Sequence, residues 1–201
     1  TAEYTAPAGL PEPGVVTVRV ASAVDPTLYF DETTVTLNNP ALTLFVDPET
    51  GIDSDTCGAE IAKCKTLTKA LSLAQAGGTV LLAPGNYVFG PATGNERLPL
   101  QMKQGVHIRG VSQTNRAFLD FTNTQTNGPG IIGADGAELS GMQIEIDQTF
   151  GPLIETNGAS PAILDNLFFG GCDLASTSCN NRAILVEGGS PVLSGHTFGS
   201  S

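Results

Sequence analysis

Three patterns of hydrophobic and polar positions follow one another along the chain. In residues 1–40 two β-branched runs stand out, Val15-Val16-Thr17-Val18-Arg19-Val20 and Thr33-Thr34-Val35-Thr36-Leu37. The turn former Asp25-Pro26 separates them, so the segment predicts two strands. Two strands and a turn do not make a stable domain by themselves. Asn38-Asn39-Pro40 then reads as a linker. Residues 41–88 form a second unit. It opens on the apolar strand Leu42-Thr43-Leu44-Phe45-Val46 and the turn Asp47-Pro48-Glu49-Thr50-Gly51. A helix is predicted over 66–76, where Leu67, Ala70, Leu71 and Ala74 form an apolar stripe at i, i+3, i+4 and i+7. Thr66 is suited to the N-cap and Gly77-Gly78 to the stop. The apolar strand Thr79-Val80-Leu81-Leu82-Ala83 and the turn Pro84-Gly85-Asn86-Tyr87 close the unit.

From residue 98 onward the pattern repeats. Ile108-Arg109-Gly110, Leu139-Ser140-Gly141, Leu164-Asp165-Asn166 and Leu193-Ser194-Gly195 each read aliphatic, polar, then Gly or Asn, at spacings of 31, 25 and 29 residues. A second set reads Ile131-Ile132-Gly133-Ala134-Asp135-Gly136, Leu153-Ile154-Glu155-Thr156-Asn157-Gly158 and Ile184-Leu185-Val186-Glu187-Gly188-Gly189. Each is a short strand running into residues that tolerate positive φ, as a sharp corner requires. Ser160-Pro161 and Ser190-Pro191 fall at equivalent corners. Short strands, tight corners and a long period predict a solenoid, with parallel strands stacked at ~4.8 Å. Variable spacing places insertions at a corner. A β-sandwich is the rival, but it has no need of paired repeats.

Composition narrows the function classes. Only 14% of the 201 residues are charged, against the ~25% of an average chain, which disfavours long solvent-exposed helices. Nine Lys and Arg against 20 Asp and Glu give a net charge of −11. That balance argues against nucleic acid as a partner, because phosphate neutralisation needs clustered cations. It disfavours anionic lipid for the same reason. No apolar run approaches the ~20 residues of a membrane span, so no membrane insertion is expected. No basic segment followed by an apolar one opens the chain, so any signal peptide is expected to have been removed.

The four cysteines form two matched pairs, Cys57 with Cys64 and Cys172 with Cys179, each enclosing six residues. Zinc sites usually show tighter spacing with histidine nearby, and His107 and His196 lie far from both pairs in sequence. The reading is two local disulfides in an oxidising compartment, with free core thiols as the alternative. The second loop follows Phe168-Phe169-Gly170-Gly171 and reads as an insertion stapled at its base.

Two resemblances extend these readings. Tyr4-Thr5-Ala6-Pro7, Val16-Thr17-Val18, Ala21-Ser22 with Asp25-Pro26, and Thr34-Val35-Thr36-Leu37 resemble the C-terminal part of a bacterial immunoglobulin-like repeat. Its first strands have no counterpart in the chain, which implies a longer parent protein or strands supplied by another subunit. Phe45-Val46-Asp47-Pro48, Gly51-Ile52-Asp53-Ser54, Lys65-Thr66-Leu67 with Ala70-Leu71, and Gly77-Gly78-Thr79-Val80 resemble the pectin-lyase-like β-helix superfamily. Leu82-Ala83-Pro84-Gly85-Asn86-Tyr87 and Gly105-Val106-His107-Ile108-Arg109-Gly110 complete that pattern. More narrowly, it is similar to an uncharacterised family of bacterial and archaeal surface proteins. The resemblance implies an all-β, right-handed parallel β-helix over 41–201, with coils from about residue 79 onward and one N-terminal capping helix. A partial β-sandwich or extended strand segment over 1–40 would precede it. No second capping element is visible after His196-Thr197-Phe198-Gly199.

Hydrolases of that superfamily use paired Asp with a His and a basic clamp. Here Asp120, Asp135, Asp147 and Asp165 lie on or near coils without such a constellation, and Arg109 and Arg116 are isolated. No catalytic residue is assigned; His107 and His196 read as strand or corner residues. Phe118-Leu119 and Phe168-Phe169 read as core stacks, with a sugar platform as the alternative. Asp47, Glu49, Asp53 and Asp55 alternate oxygen ligands around Gly51, a pattern that Ca²⁺ takes, although no bidentate Glu follows at the twelve-residue position. Turn chemistry is the rival reading there. The expected function is a non-enzymatic structural or adhesive module, secreted or on the cell surface of a bacterium or archaeon. It would be joined to flanking domains or to further copies, as in a fibre, through Val16, Val18, Val20, Val35 and Leu37 of the N-terminal strands. The alternative is a carbohydrate-active module that binds or cleaves a glycan.

Overall fold

A computed structural model describes residues 15–21, 30–36, 43–92, 96–122, 128–146, 151–170 and 182–199. The chain divides into two units, Thr1–Ala41 and Leu42–Ser201. In the first, β1 (Val15–Ala21) and β2 (Phe30–Thr36) pair antiparallel, from Val15 opposite Thr36 to Ala21 opposite Phe30. Val16 pairs with Val35 in that ladder, and Val18 and Val20 follow in β1. Leu37 and the Asp25-Pro26 turn lie outside the described residues.

The second unit is strands in parallel sheets with one helix. It begins with β3 (Thr43–Val46) and α1 (Leu67–Leu73). Then come β4 (Thr79–Leu82), β5 (Gly85–Val88) and β6 (Leu100–Gln101), followed by β7 (His107–Gly110), β8 (Ala117–Phe121) and β9 (Ile131–Ile132). The next three are β10 (Glu138–Ser140), β11 (Gln143–Ile146) and β12 (Pro152–Glu155). The last are β13 (Ala162–Leu164), β14 (Leu167–Gly170), β15 (Arg182–Leu185), β16 (Val192–Ser194) and β17 (Thr197–Phe198). Successive strands enter successive sheets. The first sheet runs β3-β4-β7-β10-β13-β16, the second β5-β8-β11-β14-β17 and the third β6-β9-β12-β15. Every pairing in these three sheets is parallel, as in a β-helix.

Register makes the core. Val80, Ile108, Leu139 and Ile163 stack in the first sheet, and Tyr87, Leu119, Ile144 and Phe168 in the second. All eight are buried. Leu100, Ile131 and Ile154 do the same in the third. One repeat is corrected by this register. Ile163, not Leu164, stacks on Leu139, so the repeats fall at 108, 139, 163 and 193. Alternation decides it, because Ile163 points inward and is fully buried while Leu164 does not. Asp165 therefore occupies the corner position of Gly141 and Gly195; its φ of 53° matches their 75° and 72°. Among the coils the longest connections run from the second sheet to the third, as between Gly170 and Arg182. Cys172 and Cys179 fall there, outside the described residues.

The first edge of the core is closed by the segment between β3 and α1. Cys57 and Cys64 form a disulfide and are buried. Cys64 bridges Val46 in parallel; its N–H donates to the Phe45 carbonyl and its carbonyl accepts from Asp47 N–H. The β3 edge is thereby paired, the usual remedy for an exposed edge. Helix α1 lays Leu67, Ala70 and Leu71 against the core. It is shorter than its apolar stripe predicts. Ala74 is already extended, at ψ 146°, and Lys103 Nζ binds its carbonyl. The helix thus ends before Gly77-Gly78, with its last carbonyl capped by a tertiary cation.

Candidate functional site

The carboxylates of the first turn-rich segment do not converge. Asp47 accepts the N–H groups of Glu49 and Thr50, the Thr50 hydroxyl at 2.7 Å and Lys63 Nζ at 3.1 Å. These bonds, the Thr50 hydroxyl foremost, lower its pKa to about 2. Asp53 points elsewhere and accepts from Lys65 N–H, Thr66 N–H and the Thr66 hydroxyl. Asp55 pairs with Lys69 at 2.8 Å, and Glu49 is exposed. Among the described residues no group of three or more such side chains is arranged to hold a metal ion. The alternating carboxylates instead order the approach to α1.

A buried carboxylate that the sequence pattern does not single out completes that approach. Glu96 is only 2% exposed. Its Oε1 accepts Leu67 N–H at 2.6 Å and its Oε2 accepts Thr68 N–H at 2.7 Å and the Thr68 hydroxyl. The Thr66 hydroxyl accepts Lys69 N–H. The first three N–H groups of α1, which have no partner within a helix, are all met by side chains. Burial raises the Glu96 pKa against the pull of these donors.

On the outer face of the first sheet, β7 and β10 bring four polar side chains together. His107 lies opposite Glu138, and Arg109 opposite Ser140. Arg109 binds Glu138 through Nε at 2.8 Å and Nη2 at 2.6 Å. His107 Nδ1 lies 3.1 Å from Glu138 Oε2, and Ser140 donates to Oε1 at 2.7 Å. Burial works against the charge, but the bonds from Arg109 and Ser140 win and lower the Glu138 pKa. An ionised carboxylate engaged on both oxygens is a poor proton donor. The cluster is chemically closed, with cation and anion spent on each other. Its adjacency was encoded in the repeat, because aligning Ile108 with Leu139 sets Arg109 beside Ser140.

The remaining coil aspartates serve corners and turns. Asp120 accepts from Thr122 N–H and hydroxyl. Asp135 accepts Ser160 N–H, and the Ser160 hydroxyl accepts Ser190 N–H one coil on. Arg116 reaches the Asp165 carbonyl. Asp147 lies outside the described residues.

The last coil differs from all others. The three sheets end on β15, β16 and β17, whose outer edges have no strand partner among the described residues. Leu193 stacks on Ile163 yet is 43% exposed; Phe198 stacks on Phe168 and is 63% exposed. Phe168 and Phe198 lie with ring centroids 5.2 Å apart. This is a face of apolar side chains rimmed by unpaired strand edges, which can accept another β element. Among the described residues no helix is long and apolar enough to cross a membrane.

No curated protein and no solved structure matches the chain. A family model described as "Protein of unknown function (DUF1565)" matches residues 50–200. That span runs from the turn before the disulfide to the last coil, well over half of the 201 residues. The chain belongs to the DUF1565 family.

Proposed function

We propose that the chain is a non-enzymatic structural or adhesive module, secreted or displayed at a bacterial or archaeal surface. Its architecture is a right-handed parallel β-helix of the pectin-lyase-like kind, preceded by part of an immunoglobulin-like repeat. Copies join into a fibre when the β1–β2 segment of one adds to the free edges of β15–β17 of the next. Contacts of that head-to-tail type form open filaments where the rotation between copies does not close a ring. The observation that carries the reading is the all-parallel stack, in which every coil offers its strand edges to the next. The Cys57–Cys64 disulfide supports an oxidising compartment.

Sedimentation velocity of the full chain at increasing concentration tests it. The expected result is a weight-average mass that rises with concentration, and a Leu193→Asp, Phe198→Asp variant that stays monomeric. A wild-type monomer at every concentration, with residues of β1 and β2 mobile by NMR, would overturn it.

A further inference from the structure

The corner between the first and second sheets holds an internal polar stack. Met142, Asn166 and His196 each immediately precede a second-sheet strand, and those strands are in register through Gln143, Leu167 and Thr197. Asn166 is fully buried. Its Oδ1 accepts Met142 N–H at 2.9 Å, and its Nδ2 donates to the Leu139 carbonyl at 3.0 Å. One coil on, His196 takes the same place. Its Nδ1 accepts Asn166 N–H at 3.3 Å. Accepting at Nδ1 puts the proton of the neutral ring on Nε2. Nε2 is buried and has no hydrogen-bond partner. The ring meets Phe168 edge-on at 5.3 Å and Phe198 at 6.3 Å.

The Ile163 main chain beside the ring favours its charged form. The four strands that flank this corner, β13, β14, β16 and β17, carry no titratable side chain. Asp165, beside Asn166 in the corner, favours the imidazolium. Arg116 is bound to the carbonyl of that same Asp165. We infer that His196 is a pH gate on the open coil: protonation at Nδ1 turns the acceptor of the Asn166 N–H into a second donor and unseats β16 and β17. Burial holds the imidazole below its ordinary 6.5 despite the Ile163 main chain and Asp165. The sign follows. A depressed pKa in the folded state gives stability that is present above the unfolded value and lost as pH falls through the folded one.

The consequence for assembly rests on the association reading above, since β16 and β17 are the edges proposed to receive the next copy. The experiment follows the full chain by NMR between about pH 8 and pH 5, reading the His196 ring and the exchange protection of the Asn166 and Thr197 amides, with sedimentation velocity alongside. Protection of both amides is expected to fall several-fold as the ring titrates, and association to fall with it. His196→Asn restores a side-chain acceptor of the Asn166 type that does not titrate, so it is expected to flatten both profiles. Wild-type protection unchanged while the His196 ring titrates would overturn the gate, whether or not the variant folds. So would a His196→Asn variant that loses protection as the wild type does. Titrating protection in a chain that never associates would leave the gate standing and remove the association reading.

Discussion

Replacing Glu96 by alanine removes the side chain that holds the first turn of α1 from outside the helix. Two main-chain donors, Leu67 N–H and Thr68 N–H, lose carboxylate oxygens at 2.6 and 2.7 Å. The Thr68 hydroxyl can turn to water, so the cost falls on the two N–H groups. A buried donor left without a partner costs about 1–3 kcal/mol, and the pair therefore about 2–6 kcal/mol. Thr66→Ala is the internal comparison. It removes the cap to Lys69 N–H, worth about 1 kcal/mol, and with it the hydroxyl's bond to Asp53. Glu96→Gln falls between the two, because its Oε1 can accept one N–H while its Nε2 faces the other. Urea unfolding followed by far-ultraviolet circular dichroism reads these differences; the chain has no Trp for fluorescence. Amide exchange at 67–69 locates them. The pH dependence has a definite sign. Burial raises Glu96 above its ordinary 4.5, so its contribution is complete below that value and is lost as pH rises through the folded value. The gap between wild type and Glu96→Gln should narrow accordingly. A Glu96→Ala variant costing no more than Thr66→Ala, with 67–69 still protected, would refute the capping argument.

Two further substitutions probe other parts of the stack. Asp47→Asn should cost about 1–2 kcal/mol at neutral pH, and the cost should vanish as acid takes the wild-type group from 3.8 down to about 2, measured as the variant's shift in urea midpoint against pH. Gly170→Ala should cost about 3 kcal/mol or more, because φ is +94° and a Cβ would lie 2.2 Å from the Ile146 carbonyl oxygen. Gly77→Ala shares the positive φ, +79°, but meets nothing within 4 Å, so only the backbone term of about 1 kcal/mol should appear in thermal unfolding. Equal losses for the two glycines would show that the strand contact at Gly170 carries no cost.

Much of the architecture was legible residue by residue. The alternation in His107-Ile108-Arg109 and Glu138-Leu139-Ser140 names both the inward position and the outward neighbours, because strands repeat every two residues. Gly141 and Gly195 mark corners because those corners need positive φ. The slip of one residue at Leu164 shows the limit. Ile163 and Leu164 are both aliphatic, and Asp165 disguises a corner that glycine marks elsewhere. Only the strand on either side says which of the two points inward.

By itself the sequence determined the short strands, the corner residues, the cysteine spacing and the apolar stripe of α1. Each is set by a few adjacent residues whose backbone preference and polarity act locally. The tertiary structure decided everything that depends on which coil lies next to which. It made Glu96 the cap of a helix 28 residues earlier in the chain, and His196 the acceptor for Asn166 one coil back. It also left Leu193 and Phe198 bare where Ile163 and Phe168 are covered. The physical reason is that burial and hydrogen-bond partnership in a stack belong to the neighbouring coil. A residue's own type says which way it points, but the coil above it decides whether it is core or contact surface.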